Sequence, residues 1–254
     1  MQSMETIELI AAMPQEINPL LRRIGNWERG RWGAFRCYRF QIANLNCLLI
    51  ECGIGFKRAA QAAEALLKDT QPRLLVSFGV AGALETELQV GDVVYIGKAC
   101  SLEAGRPEKS LALASLSDAA LQAAAKALKL QGAALVPGTT LTTHGSQAVR
   151  LEPGELLHPV LEMETAAIAG VAVERGIPLL SLRSISDNPQ EPLPFDIGDW
   201  YNGEANLVVG SMIRTFLLRP NILPRLFKLN RNTHRAAENL AIALVAVLGQ
   251  LFVG

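Results

Sequence analysis

No run in this sequence reaches the ~18 to 20 consecutive apolar residues of a membrane-spanning helix, although half of its residues are hydrophobic. The stretch MQSMETIELIAAM has neither the basic lead nor the long apolar core of a secretory signal, and a cytoplasmic location is expected. Histidine is scarce and scattered, at His144, His158 and His234, so a zinc site is not expected. Cys37, Cys47, Cys52 and Cys100 lie in or beside apolar runs without metal-ligand spacing, which points to reduced, structural thiols and to no metal or cofactor. Formal charge balances at zero, and without a basic excess no nucleic-acid partner is expected. No internal repeat or low-complexity linker divides the chain.

What is present is a succession of strands and helices. Ile7 to Ala12 reads as a first strand, followed by a helix to about Ile24 with Pro14 in its first turn. Trp27 to Gly33 reads as a polar loop, and Phe35 to Ile42 with Leu45 to Cys52 as a hairpin around Ala43-Asn44. Gly53-Ile54-Gly55 leads into a helix over Phe56 to Lys68. Arg58 stands where a dinucleotide fingerprint needs its third glycine, so these glycines are read as making a tight turn. Arg73 to Phe78 is a buried strand ending in the small-residue turn Gly79-Val80-Ala81-Gly82. That turn serves either backbone approach to a ligand or chain reversal.

Val90 to Ile96 reads as a turn and strand, Ser117 as the cap of a helix to about Leu130, and Ala133 to Val136 as a strand. Thr139 to Arg150 reads as a polar loop over the pocket. Alternating strands and helices predict an α/β fold, a three-layer sandwich with a mixed, largely parallel sheet between helices. Asp196 to Leu218 is expected as the last core helix, after a proline-bearing lid or subunit contact at Pro189, Pro192 and Pro194.

Two domains of unequal size are expected: residues 1–218 as the catalytic unit and 219–254 as a basic, apolar helical extension. From Arg214 to Gly254 six Arg or Lys residues face the single acid Glu238, so this tail carries +5 and the remainder −5. The tail helix either packs on the domain or a sister subunit, or rests on a membrane surface.

The chemistry concentrates between Val160 and Asn188. Glu162 and Glu164 flank Met163 at the start of a small-residue helix. Leu179 to Ile185 is a short apolar run of the kind a buried parallel strand shows, and it finishes on Ser186-Asp187-Asn188. Ligands of open α/β sheets bind at the carboxyl ends of strands. Two acids delivered to one mouth by adjacent elements suggest acid-assisted bond cleavage.

Four stretches, in this order, resemble the nucleoside phosphorylase/nucleosidase family, and within it the 5'-methylthioadenosine/S-adenosylhomocysteine nucleosidase branch. They are Ala12 to Glu16, Gly79 to Gly82 before Val90-Gly91-Asp92, Leu161 to Glu164, and Arg183 to Asp187. The resemblance covers residues 7 to about 215. It implies an enzyme that breaks the N-glycosidic bond of an adenosine-type nucleoside through an oxocarbenium-like transition state. Asp187 would give the departing adenine its proton, and Ser186 would orient it. Glu16 would activate water, and Glu164, Glu162 and Met163 would bind the sugar. Val80, Ala81 and Gly82 would line the purine or ribose side. Each of the acids also has a plainer reading, as a helix-terminal charge or a loop cap.

Phosphorylases of the family hold phosphate with arginines. One stands just before the glycine turn and one in the first loop, where this chain has Ser77 and Met13-Pro14-Gln15. Hydrolysis is therefore expected, with Val80 departing from the serine usual in the nucleosidases. The partners expected are a small nucleoside and further copies of the chain in a homo-oligomer. An adenosylhopane-type nucleosidase or phosphorylase of hopanoid synthesis, acting on a lipid-linked substrate from the inner membrane face, is the second reading. A nucleoside-binding protein without turnover is the third.

Overall fold

The computed structural model describes residues 6–144, 149–152, 154–189 and 223–251. The elements in order are β1 (Thr6–Ala11), α1 (Pro14–Ile24), β2 (Trp27–Trp32), β3 (Phe35–Ile42), β4 (Leu45–Glu51), α2 (Phe56–Asp69), β5 (Leu74–Ala83), β6 (Val93–Glu103), β7 (Arg106–Ala112), α3 (Asp118–Lys129), β8 (Leu135–Thr142), β9 (Pro159–Glu162), α4 (Thr165–Glu174), β10 (Leu179–Asp187) and α5 (Leu223–Leu248). β4, β1, β5 and β10 lie parallel side by side. β3 and β2 extend the sheet antiparallel at its outer edge.

β5 pairs with both β10 and β9, and β6 and β8 link those two, so β5, β9, β8, β6 and β10 close into a ring. Strand alternation divides the core. Ile7, Leu9 and Ala11 pack with α1, α3 and α5, while Ile10, Ile50 and Leu75 pack with α2 and α4. This is the expected three-layer sandwich around a mixed sheet. Local signals act as they should: Gly25 closes α1 at φ 77°, and the Ser117 hydroxyl accepts from Ala120 N–H at 3.3 Å to start α3.

Three segments differ from the sequence reading. Trp27–Trp32 is a strand, not a loop; as a largely exposed edge element it shows charge instead of an apolar pattern. Gly79–Gly82 is not a terminal turn. The strand runs on to Ala83 because β10 pairs with it throughout and β9 takes up the side that β1 leaves. Thr139–Thr142 likewise prolongs β8, with Thr140 and Thr142 fully buried.

Asp196 to Leu218 and the prolines beyond Pro189 lie outside the described residues. The tail helix is not an appendage. Leu240, Ala241, Leu244, Val247 and Leu248 recur at helical spacing and enter the core cluster shared with α1 and α3. Asn239 Nδ2 donates to Gly91 O at 2.8 Å, and Glu238 pairs with Arg22 at 2.5 Å and Arg23 at 3.1 Å. Among the described residues no helix is long and apolar enough to cross a membrane.

Candidate active site

β5 from Gly79 to Gly82 is the line along which the acids gather. On one side β10 sets Arg183 opposite Gly79 and Asp187 opposite Gly82. On the other, β9 runs antiparallel with Leu161 opposite Gly82, which brings Glu162 to Glu164 back along the same backbone.

Glu16 arrives from the first turn of α1. Its Oε2 accepts from Ala12 N–H at 3.1 Å and Met13 N–H at 2.9 Å, and Oε1 reaches across to accept from Val80 N–H at 2.9 Å. The carboxylate therefore fills the helix-terminal role and also bridges two strand ends. Gly79 is glycine for a spatial reason: a Cβ there would stand 2.6 Å from Glu16 Oε1. Burial pushes this carboxyl above its ordinary range, against the pull of Val80 N–H, the Arg183 guanidinium, and Met13 and Ala12 N–H.

Arg183 is the largest fully buried side chain, at 1% exposure. Its Nη2 donates to Ser77 Oγ at 2.8 Å, Thr165 Oγ1 at 2.8 Å and Glu162 Oε2 at 3.1 Å. Glu162 Oε2 also accepts from Glu164 N–H at 3.0 Å, Thr165 N–H at 2.8 Å and Thr165 Oγ1 at 2.7 Å, and Thr142 Oγ1 donates to Oε1. Glu162 is thus corrected from a sugar ligand to an internal anchor. It is 5% exposed, its oxygens are bound by the protein, and it fixes the start of α4 beneath Glu164.

Glu164 itself is half-buried, and its Oε1 accepts from Gly55 N–H at 2.8 Å. Among the described residues its Oε2 has no hydrogen-bond partner. Burial, then the like charges of Glu162 and Glu16, push this carboxyl up to about 8, while Arg183 and Gly55 N–H pull the other way. Gly55 sits at φ 105°, a conformation that favours glycine, so the turn before α2 also aims a donor at the acid.

Asp187 stands at the end of β10, past a register shift after Ile185. Ser186 Oγ donates to its Oδ1 at 2.6 Å and has Ala81 O at 3.3 Å as a second acceptor. Its Oδ2 occupies the space a Cβ on Gly82 would need, 2.7 Å away. Burial raises this carboxyl above its usual range, and the Ser186 hydrogen bond works against the rise.

Met163, Val80 and Gly82 are half-buried along this line. Ala81 is different: its side chain packs into the cluster of Val94, Ile96, Val160 and Ile185, which leaves no side-chain atom for a ligand. Residues 145–148, within the stretch read as a polar loop over the pocket, lie outside the described residues. At its near end the His144 ring lies 4.2 Å from Phe56, the residue after Gly55.

Sequence reasoning gave no role to Arg183, Thr142 or Thr165, read Gly55 only as part of a tight turn, and read Ser77 only as replacing a phosphate-binding arginine. The arginine was detectable, since a lone charge within the mostly apolar run LLSLRSI must find buried partners. Its hydroxyl partners carry no comparable signal. No group of three or more potential metal ligands occurs among the described residues.

Residues 6–210 match the family described as the phosphorylase superfamily. The chain is 28% identical over 202 residues to the 5'-methylthioadenosine/S-adenosylhomocysteine nucleosidase of Maridesulfovibrio salexigens, which spans 73% of this chain and 87% of that one. It is 28% identical over 206 residues to the same-named enzyme of Glaesserella parasuis, with 75% and 90% covered. The nucleosidase of Neisseria meningitidis, solved with methylthio-immucillin-A, shares the fold at a TM-score of 0.68 and 21% identity over 97% of this chain and 100% of that one. The futalosine hydrolase of Helicobacter pylori does so at 0.68 and 19% identity over 98% and 99%. Likeness at such identity establishes fold alone. The family match, spanning most of the sequence and all the acids described above, establishes membership: the chain belongs to the phosphorylase superfamily.

Proposed function

We propose that the protein is a nucleosidase that hydrolyses the N-glycosidic bond of a methylthioadenosine- or adenosylhomocysteine-like nucleoside and releases adenine. The observation that carries this reading is the gathering of three acids: Glu16 accepts from Val80 N–H, Asp187 pairs opposite Gly82, and Glu164 lies within electrostatic range of Glu16. Asp187, its carboxyl raised by burial, keeps a proton to hand to the purine nitrogen as the bond breaks. Such acid assistance is worth roughly 10² to 10⁴ in rate. Glu164 receives the ribose hydroxyls on its unengaged Oε2 and, in its ionised form, places charge beside the developing cation. Glu16, held by three N–H groups, retains lone-pair capacity on Oε1 to orient and deprotonate water.

Water is favoured over phosphate by the local charge. Arg183 Nη2 is engaged by Glu162, Ser77 and Thr165, so among the described residues a phosphate approaching Glu16 and Glu164 would meet carboxylates and a guanidinium already in an ion pair. Both curated relatives named above are nucleosidases. The lipid-linked reading rested on the tail helix, whose apolar face is buried against α1 and α3.

The test is adenine release from methylthioadenosine, adenosylhomocysteine and an adenosyl-lipid, with and without phosphate. Release of adenine and free sugar from one of the first two in phosphate-free buffer is expected. A requirement for phosphate, or a sugar 1-phosphate product, would overturn hydrolysis; turnover of the adenosyl-lipid alone would overturn the substrate class. Size-exclusion with light scattering tests the accompanying expectation of a homo-oligomer.

A further inference from the structure

The amino end of β1, remote from the acids above, holds a carboxylate that the reaction does not use. Glu8 lies roughly 13 Å along the strand from Ala12, at about 3.3 Å per residue. It is fully buried, and its Oε1 has no hydrogen-bond partner. Its Oε2 has only the Thr70 hydroxyl, at 3.0 Å. That hydroxyl carries one proton and also lies 2.7 Å from Leu66 O, so even this bond is contested. A buried, ionised carboxylate with at most one donor is an unstable arrangement unless it takes up a proton or a cation completes it.

The surroundings disfavour a lone anion twice over. Thr70 is the C-cap of α2, so the negative end of that helix faces the acid and rules out a dipole-stabilised anion. Burial pushes the Glu8 carboxyl from 4.5 up to about 7, with the Thr70 hydrogen bond the sole opposing influence. Among the described residues no cationic side chain pairs with Glu8. Strand register places Glu8, Leu48, Arg39 and Glu28 in one row across four strands. Leu48 therefore separates Glu8 from Arg39, whose neighbour is Glu28 and whose Nη1 lies 3.6 Å from Cys37 Sγ.

Over this row opens a groove of about 570 Å³, lined by Glu8, Thr70, Leu48, Trp32, Arg39 and Glu28 among others. Its size is that of a small-molecule site. Trp32 forms a fixed apolar wall, because its indole N–H is tied to Ala65 O at 3.0 Å.

We propose that this groove is a second binding site, for a small organic cation: a primary alkylammonium whose charged end pairs with Glu8 while its stem lies along Leu48 and Trp32. The ammonium brings three donors to a carboxylate short of them, and the apolar stem fits the wall beside it. Glu8 is then a ligand-binding residue, independent of adenine release.

The probe is n-butylammonium, titrated calorimetrically into the full-length protein at pH 8 in an amine-free buffer of constant ionic strength. Saturable one-to-one binding is expected, with n-butanol and sodium ion giving none. Glu8→Gln is expected to weaken it at least tenfold, on the order of 1.4 kcal/mol or more, while leaving adenine release unchanged. Glu164→Gln is expected to bind the amine like wild type, which separates this site from the catalytic one. In wild type, carbon-13 spectra of the glutamate carboxyls should show one buried resonance moving with the amine, a readout that needs no variant. Absence of saturable binding, equal affinity for n-butanol, an unmoved resonance, or undiminished binding by Glu8→Gln would each overturn the proposal.

Discussion

Glu8→Gln is the substitution whose effect on stability can be worked out most fully. The native carboxyl is held at about 7 against an ordinary 4.5, so the folded state retains its proton more tightly than the unfolded chain does. The stability tied to the neutral form is complete below pH 4.5 and is lost as pH rises to about 7. A difference of about 2.5 units corresponds to about 3 kcal/mol at 1.36 per unit. Relaxation of the protein around the buried carboxylate, equivalent to a higher effective dielectric, reduces the usable figure to about 2 kcal/mol. Glutamine keeps the shape, can accept from Thr70, and has no proton to lose. Urea unfolding of both proteins in amine-free buffer should therefore show the variant more stable by about 2 kcal/mol at pH 8, with most of that gain absent at pH 5. A variant equal to or weaker than wild type at pH 8, or a gain independent of pH, would refute the reasoning.

Other consequences concern the acid site. Ser186→Ala removes the hydrogen bond that favours ionised Asp187, so the alkaline decline of kcat/KM should move to higher pH; a decline that stays put or moves lower contradicts the acid role. Gly82→Ala sets a Cβ 2.7 Å from Asp187 Oδ2 and must displace that carboxyl. A fold intact by circular dichroism with kcat down about 100-fold is expected, the usual effect of misplacing a reacting group by about 1 Å. Arg183→Gln leaves Glu162 buried without its counter-charge and should destabilise by about 3 to 5 kcal/mol in urea unfolding. Pairing it with Glu162→Gln should recover part of that loss, since no unpaired carboxylate then remains.

The sequence was legible where a local rule decides the outcome. Pro14 opens α1, Ser117 starts α3, and Leu179 to Ile185 is a buried strand by its apolar run alone. It misled where tertiary pairing overrides composition. Glycines and alanine at 79–82 look like a turn, yet β9 and β10 hold them extended on both sides. Charged Trp27–Trp32 looks like a loop because an edge strand has little apolar surface to bury. The acids themselves were visible as a set. Their division of labour was not, because whether Glu162 or Glu164 faces a ligand depends on hydroxyls of Ser77, Thr142 and Thr165 brought from three other elements. The tail was open to two readings, packing on the domain or a sister subunit and resting on a membrane surface; the apolar spacing that places Leu240 to Leu248 against α1 answers to the first.

The account turns on proton delivery by Asp187, and Asp187→Asn tests it most directly. Asparagine keeps the size and can still accept from Ser186, but has no acidic proton to give. With methylthioadenosine in phosphate-free buffer, single-turnover adenine release should fall roughly 10² to 10⁴-fold, while a nucleoside analogue binds with little change. Release at the wild-type rate by a correctly folded Asp187→Asn protein would contradict the mechanism.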